Sequence, residues 1–132
     1  MTKLAIVQKP PVFLDKRKTI ELAVETVDEA AQAGAELIVF SEAFIPGYPS
    51  WVWRLRPGGD WNLSQELHER LLQNAVNVDS DDLTPLFHAA HRNRVTIVCG
   101  IEERDNAQSR ATLYNSVVVI GPEGNLLNRH RK

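Results

Sequence analysis

The sequence predicts an α/β protein built on one layered sheet of mixed strand direction. Three observations carry that expectation. A strand pattern, a helix pattern and another strand pattern follow one another from Leu4 to Phe40. A further buried strand pattern, Val95 to Ile101, follows more helical sequence. The chain then closes on two strand-like runs around Gly121-Pro122-Glu123-Gly124-Asn125, which reads as a hairpin turn. Successive βαβ units favour parallel pairing through a right-handed crossover, and a hairpin enforces antiparallel pairing, so the sheet should be mixed.

Each element has its own signal. Leu4 to Gln8 is apolar and is stopped by Pro10-Pro11, which suits an opening strand. Asp15 is placed to cap a helix from about Lys16 to Ala33, in which Ile20, Val24, Val27 and Ala31 recur at helical spacing. Gly34 is a helix stop. Leu37 to Phe40 is too short and too rich in β-formers to stand as a helix. Pro46, Gly47 and Pro49 then force a loop. The segment from Trp51 to Trp61 is aromatic and broken by Pro57-Gly58-Gly59. Ser64 is expected to cap a helix carrying Leu67, Leu71 and Leu72. Asp79-Ser80-Asp81-Asp82 reads as a solvated acidic turn, because no Gly and no terminal Glu complete a calcium loop. Thr84, with Pro85 behind it, is expected to cap a helix ending near Arg94. Arg104 to Ala111 reads as a polar loop, Leu113 to Ile120 as a strand, and Leu126 to Arg131 as its returning partner.

Bulk properties narrow the functional classes. At 132 residues the chain can bury a real core, and 43% hydrophobic with 24% charged residues is ordinary for a soluble globular protein. A formal net charge of -2 gives no electrostatic case for nucleic acid or an anionic membrane. No apolar run is long enough to span a bilayer, no signal-peptide pattern is present, and one cysteine allows no internal disulfide. Cytoplasmic location is the default expectation. The end at Asn128-Arg129-His130-Arg131-Lys132 comes straight off an apolar run and reads as a cut edge.

Most chemistry-bearing residues have ordinary readings. His88 and His91 share a helix face, but no third ligand completes a metal motif. Cys99 lies between apolar neighbours in a strand, where a thiol is desolvated and inert. No dinucleotide or phosphate-binding glycine loop is present. The three tryptophans can pack against the body or a partner subunit, or wall an apolar substrate pocket. Glu42 and Lys132 differ, because each sits just past the C-terminal end of a predicted strand, where open α/β sheets place ligands. If those strands are parallel, a carboxylate able to take a proton and an ammonium able to stabilise developing negative charge share one edge. Such a pair still lacks an attacking atom.

Taken together, these residues give the chain a family likeness. It resembles the N-terminal part of a nitrilase, in the carbon–nitrogen hydrolase superfamily. Ser41 to Pro49 (Ser-Glu-Ala-Phe-Ile-Pro-Gly-Tyr-Pro) is similar to that family's first signature, and His130-Arg131-Lys132 to its second. The strand Val98 to Arg104 and Tyr114-Asn115 of the next strand also sit where the family has them. The resemblance implies that Glu42 and Lys132 are the catalytic glutamate and lysine. It implies the N-terminal half of a four-layer α-β-β-α sandwich, and no metal or organic cofactor. The nucleophilic cysteine and a further glutamate would lie beyond Lys132, in a remaining C-terminal part, and Cys99 does not match that cysteine. Gly47-Tyr48-Pro49 followed by Trp51-Val52-Trp53 looks like the nitrile-hydrolysing branch, with Tyr48 and, more weakly, Trp53 lining the substrate pocket. The implied partners are a small-molecule nitrile and further copies of the chain in a homo-oligomer. Glu42 is expected to be buried, with burial raising and Lys132 lowering its pKa. The alternatives are an amidase or carbamoylase of the same superfamily, and a non-catalytic fragment or interaction module. The chain alone is expected to lack nitrilase activity.

Overall fold

The computed structural model describes residues 1–105, 109 and 111–132. Its elements are β1 (Leu4–Ile6), α1 (Lys16–Gln32), β2 (Leu37–Val39), α2 (Trp61–Asn74), α3 (Thr84–Asn93), β3 (Thr96–Arg104), β4 (Leu113–Ile120) and β5 (Leu126–Arg131). Short 3-10 turns at Ser50–Trp53 and Asp81–Leu83 precede α2 and α3. The five strands form one sheet in sequence order. β1, β2 and β3 pair in parallel, and β3, β4 and β5 pair antiparallel. The expected mixed α/β sheet is therefore present, and β5 runs in the same direction as β2.

Helix α1 starts where Asp15 accepts a bond from the Lys18 N–H at 2.9 Å, satisfying an otherwise orphaned donor. It ends at Ala33, with Gly34 taking the left-handed conformation at φ 88°. Its buried stripe, Ile20, Ala23 and Val27, packs with Leu86, Ala89 and Ala90 of α3. Both helices lie against the same sheet face, whose alternate residues Ile38, Ile97, Cys99, Ile101, Val118 and Ile120 are fully buried. Cys99 is thus a core residue, and burial pushes its thiol up to about 12. The opposite face has no helix among the described residues and leaves Leu4 and Ile6 exposed.

Several boundaries differ from the sequence reading. β1 stops at Ile6 rather than Gln8. α2 begins at Trp61, so Ser64 lies inside the helix and donates its N–H to Asp60. Asp60 holds the cap position, but its carboxylate is taken by Arg56, whose backbone N–H donates to it at 2.8 Å. Thr84 is the first residue of α3, which continues directly from the 3-10 turn; the side-chain cap is Ser80, accepting from the Asp82 N–H. β3 runs on to Arg104, three charged residues beyond the apolar run that signalled it. The expected polar loop therefore starts later, and residues 106–108 and 110 of it lie outside the described residues.

Candidate active site

The loop after β2 is held against β3 by main-chain bonds. Phe40 N–H donates to Val98 O at 2.8 Å, Ile45 N–H to Gly100 O at 3.2 Å, and Glu102 N–H to Ile45 O at 2.8 Å. This approach depends on Gly100. A Cβ there would fall 2.4 Å from Ser41 O, 2.6 Å from Ala43 N and 2.7 Å from Glu42 Cα. All three are backbone atoms that cannot swing aside, so only glycine permits this seating. Ala43 adopts φ 48°, a conformation that strains a non-glycine residue, and the surrounding bonds hold it there.

So seated, the loop projects Glu42 over the face of the sheet that carries no helix. Lys132, just past β5, reaches the same place. Lys132 Nζ donates to Glu42 Oε1 at 2.8 Å, across 90 positions of sequence. Asn115 of β4 acts on both partners. Its Nδ2 donates to Glu42 Oε1 at 2.7 Å, and its carbonyl accepts the Lys132 backbone N–H at 2.9 Å. The Lys132 hydrogen bond, then that of Asn115, then the Lys132 charge hold the Glu42 carboxyl below its ordinary pKa. Reciprocally, Glu42 raises the Lys132 pKa, and the Tyr48 phenol adds a small push in the same direction. Burial was expected to compete for Glu42; instead its side chain is 50% exposed and that of Lys132 is 73% exposed. At that exposure desolvation is slight and the ammonium wins.

A shallow cavity of about 430 Å³ lies beside the pair, floored by Val98, Gly100 and Val117 and edged by Phe40 and His130. Tyr48 and Trp53 lie at the exposed rim of the loop, with Trp53 Nε1 donating to the Tyr48 hydroxyl at 3.4 Å. The structure separates the tryptophans. Trp51 is buried edge-on against Phe13, ring centroids 6.0 Å apart, and packs with Leu14 and Leu71, whereas Trp53 and Trp61 are exposed. A larger groove of about 500 Å³ lies along α1, but its Lys16, Asp82, Arg17 and Glu21 are spent in ion pairs. Among the described residues no cluster of side chains is fit to hold a metal ion, and no helix is long and apolar enough to cross a membrane.

On the helix-facing side of the same strands lies a second charge system that the sequence reading missed. Glu103 accepts from Ser116 Oγ at 2.7 Å and from Arg131 Nη2 at 2.6 Å; Arg131 also donates to Asp105 at 3.1 Å. The Arg131 guanidinium lies 4.1 Å from the centroid of the Tyr114 ring.

The carbon-nitrogen hydrolase profile matches residues 3–132. The chain belongs to the carbon–nitrogen hydrolase family. Among curated members of the carbon–nitrogen hydrolase family and their relatives, it is 38% identical over 131 residues to an aliphatic nitrilase of Rhodococcus rhodochrous, covering 98% of this chain and 34% of that one. It is 36% identical over 130 residues to an arylacetonitrilase of Aspergillus oryzae, covering 98% and 36%. A cyanide hydratase of Stereum hirsutum is 35% identical over 130 residues, covering 98% and 33%. The chain thus spans about a third of the length of these relatives. Among solved structures, an amidase from Nesterenkonia sp. superposes with a TM-score of 0.63 at 17% identity, over 99% of this chain and 42% of that one. A carbon–nitrogen hydrolase from Helicobacter pylori gives 0.63 at 18% identity, over 99% and 39%. These likenesses carry the fold: the described sheet and its helices form part of the larger carbon–nitrogen hydrolase architecture.

Proposed function

We propose that this chain supplies the acid–base half of a nitrilase, with Glu42 as general base and Lys132 as electrostatic stabiliser. The observation that carries the reading is the 2.8 Å contact of Lys132 Nζ with Glu42 Oε1 at the ends of two strands of the same direction. Glu42 Oε1 is occupied by both donors, and among the described residues no donor engages Oε2, which is left to receive a proton. The nucleophile is a cysteine from sequence beyond these 132 residues. Cys99, the one cysteine here, is sealed in the core. A glutamate-to-glutamine mutant of the Nesterenkonia sp. amidase carries a Michael adduct of acrylamide on its active-site cysteine, and a reactive thiol in that structural neighbour supports a thiol nucleophile here.

In the complete protein Glu42 takes the thiol proton and sulfur attacks the nitrile carbon. The C–S bond forms as a C–N π bond breaks, and protonation of nitrogen gives a thioimidate. Water adds, and Lys132 offsets the negative charge of the tetrahedral species. Nitrogen leaves as ammonia, and a second water releases the carboxylic acid and restores the thiol. Tyr48 and Trp53 line the substrate entrance. The partners in this proposal are a small-molecule nitrile, the C-terminal part of the enzyme, and further copies of the chain. The uncovered apolar sheet face favours association.

The test is ammonia release from a panel of aliphatic and aromatic nitriles by the complete protein, with and without Glu42→Gln. Turnover in the parent and its loss in the variant are expected. Turnover of amides alone would move the reading to an amidase or carbamoylase. Ammonia release by the 132-residue chain alone would refute the need for a nucleophile from elsewhere.

A further inference from the structure

Glu102 is a carboxylic acid that the catalytic scheme does not use. It stands on β3, and its partner across the β3–β4 ladder is Asn115, the residue that holds Glu42 Oε1. Its backbone is pinned on both sides. Its N–H donates to Ile45 O at 2.8 Å and its carbonyl accepts from Val76 N at 2.8 Å. Strand alternation puts its side chain on the face of Gly100 and Val98, where Glu42 and Lys132 meet, and away from Glu103. The residue is only 6% exposed. No described group donates a hydrogen bond to its carboxyl, although neither oxygen is wholly sealed from that face. A carboxylate so placed has lost most of its water and gained no donor. Burial first, and the Glu42 charge second, push its pKa up to about 7.

We propose that Glu102 is a second acid of this site, a positioning residue that acts through the charge of Glu42. This role rests on the reading of Glu42 as base. It is distinct from the further glutamate that the family resemblance places beyond Lys132. While Glu102 is neutral, Glu42 is held down by Lys132 and Asn115 and is a weak base. When Glu102 loses its proton, a second negative charge appears on the same face. Coupling between two carboxylates is reciprocal, so Glu42 then binds a proton more tightly and removes one from a thiol more readily. Among the described residues, the other ionisable groups on this side include His130 of β5, Lys132 just past it, Tyr48 from the loop after β2, and Arg104 two residues along β3. Lys132 is committed to Glu42 Oε1, and Arg104 donates to Leu72 O at 3.4 Å.

The coupling is read directly from carboxyl carbon resonances in glutamate-labelled protein, titrated from about pH 4 to about pH 9. One side-chain carboxyl should titrate near neutrality, vanish in the isosteric Glu102→Gln variant, and move to lower pH in Glu42→Gln. A Glu102 midpoint in the ordinary glutamate range, or one unmoved by Glu42→Gln, overturns the proposal. In the complete protein, kcat/KM should rise through neutral pH in the parent. The Glu102→Gln variant should lose that rise while staying within about twofold of the parent below it. Glu102→Asp should restore it. Superimposable parent and Gln profiles overturn the proposal. Coupled titrations in a protein that hydrolyses neither nitriles nor amides would sink the hydrolase reading and leave the hold of Glu102 on Glu42 in place.

Discussion

Glu102 and Glu103 are neighbours on one strand, both buried, and their carboxyls behave in opposite ways. Glu103, 1% exposed, faces the helices. Burial pushes its pKa upward, but hydrogen bonds from Arg131 and Ser116 and the charges of Arg131 and Arg129 together outweigh that, and its pKa is lowered. Glu102 faces the other way, receives no donor among the described residues, and is raised to about 7. Burial raises both, and the sign is set by what opposes it: donors and cations at Glu103, and at Glu102 none, with the Glu42 charge adding to the rise. The same split recurs on β5, where Arg131 serves the inner network and Lys132, the next residue, serves the outer pair. One step along a strand thus separates a charge system that holds the fold from one open to chemistry.

The largest effect should come from breaking the inner system. Glu103→Ala leaves Arg131 and Ser116 without their shared acceptor and should cost about 3 kcal/mol by denaturant unfolding. A cost under about 0.5 kcal/mol would make the inner network dispensable. Gly100→Ala comes next. Its methyl would collide with the backbone that seats Glu42, so stability should fall by about 2 kcal/mol and the Glu42–Lys132 contact should be lost. Retention of both would show that the loop has room to move.

Glu102→Gln should act in the opposite direction, with a defined pH window. Unfolded, Glu102 ionises in the ordinary glutamate range; folded, it keeps its proton until about 7. Between those values the folded state binds more protons, so stability falls as pH rises. Removing the charge should therefore stabilise the fold at about pH 8, by on the order of 1–2 kcal/mol, and do nothing near pH 4. The smallest stability effect should be that of Glu42→Gln, whose pair is largely exposed; the unfolding midpoint at neutral pH should barely move. What stabilisation the pair provides is present above the ordinary glutamate range and is lost as pH falls through the lowered pKa of Glu42.

Much of the frame was legible because local signals agreed with the packing. Asp15 caps α1, Gly34 ends it, and the turn between β4 and β5 forms where its glycines predicted. Placing Glu42 and Lys132 at the ends of two strands of the same direction needed only the strand order. The extension of β3 through Glu102, Glu103 and Arg104 was legible from the family resemblance, which has Val98 to Arg104 as one strand, but not from the residue pattern, since three charges in a row read as loop. They are tolerated because Arg131, from another strand, neutralises Glu103, and no local window contains that fact. The start of α2 was hidden for a related reason: Asp60 spends its side chain on Arg56 instead of the helix it precedes. The family resemblance pointed to Asn115, but its grip on both Glu42 and Lys132 depends on β-ladder register, which residue types do not encode.

Among the described residues β5 is the last strand in the sheet order, and Lys132 follows directly on its end. A border strand frays before the interior does, so Glu42 and Lys132 stay together only while β5 remains docked.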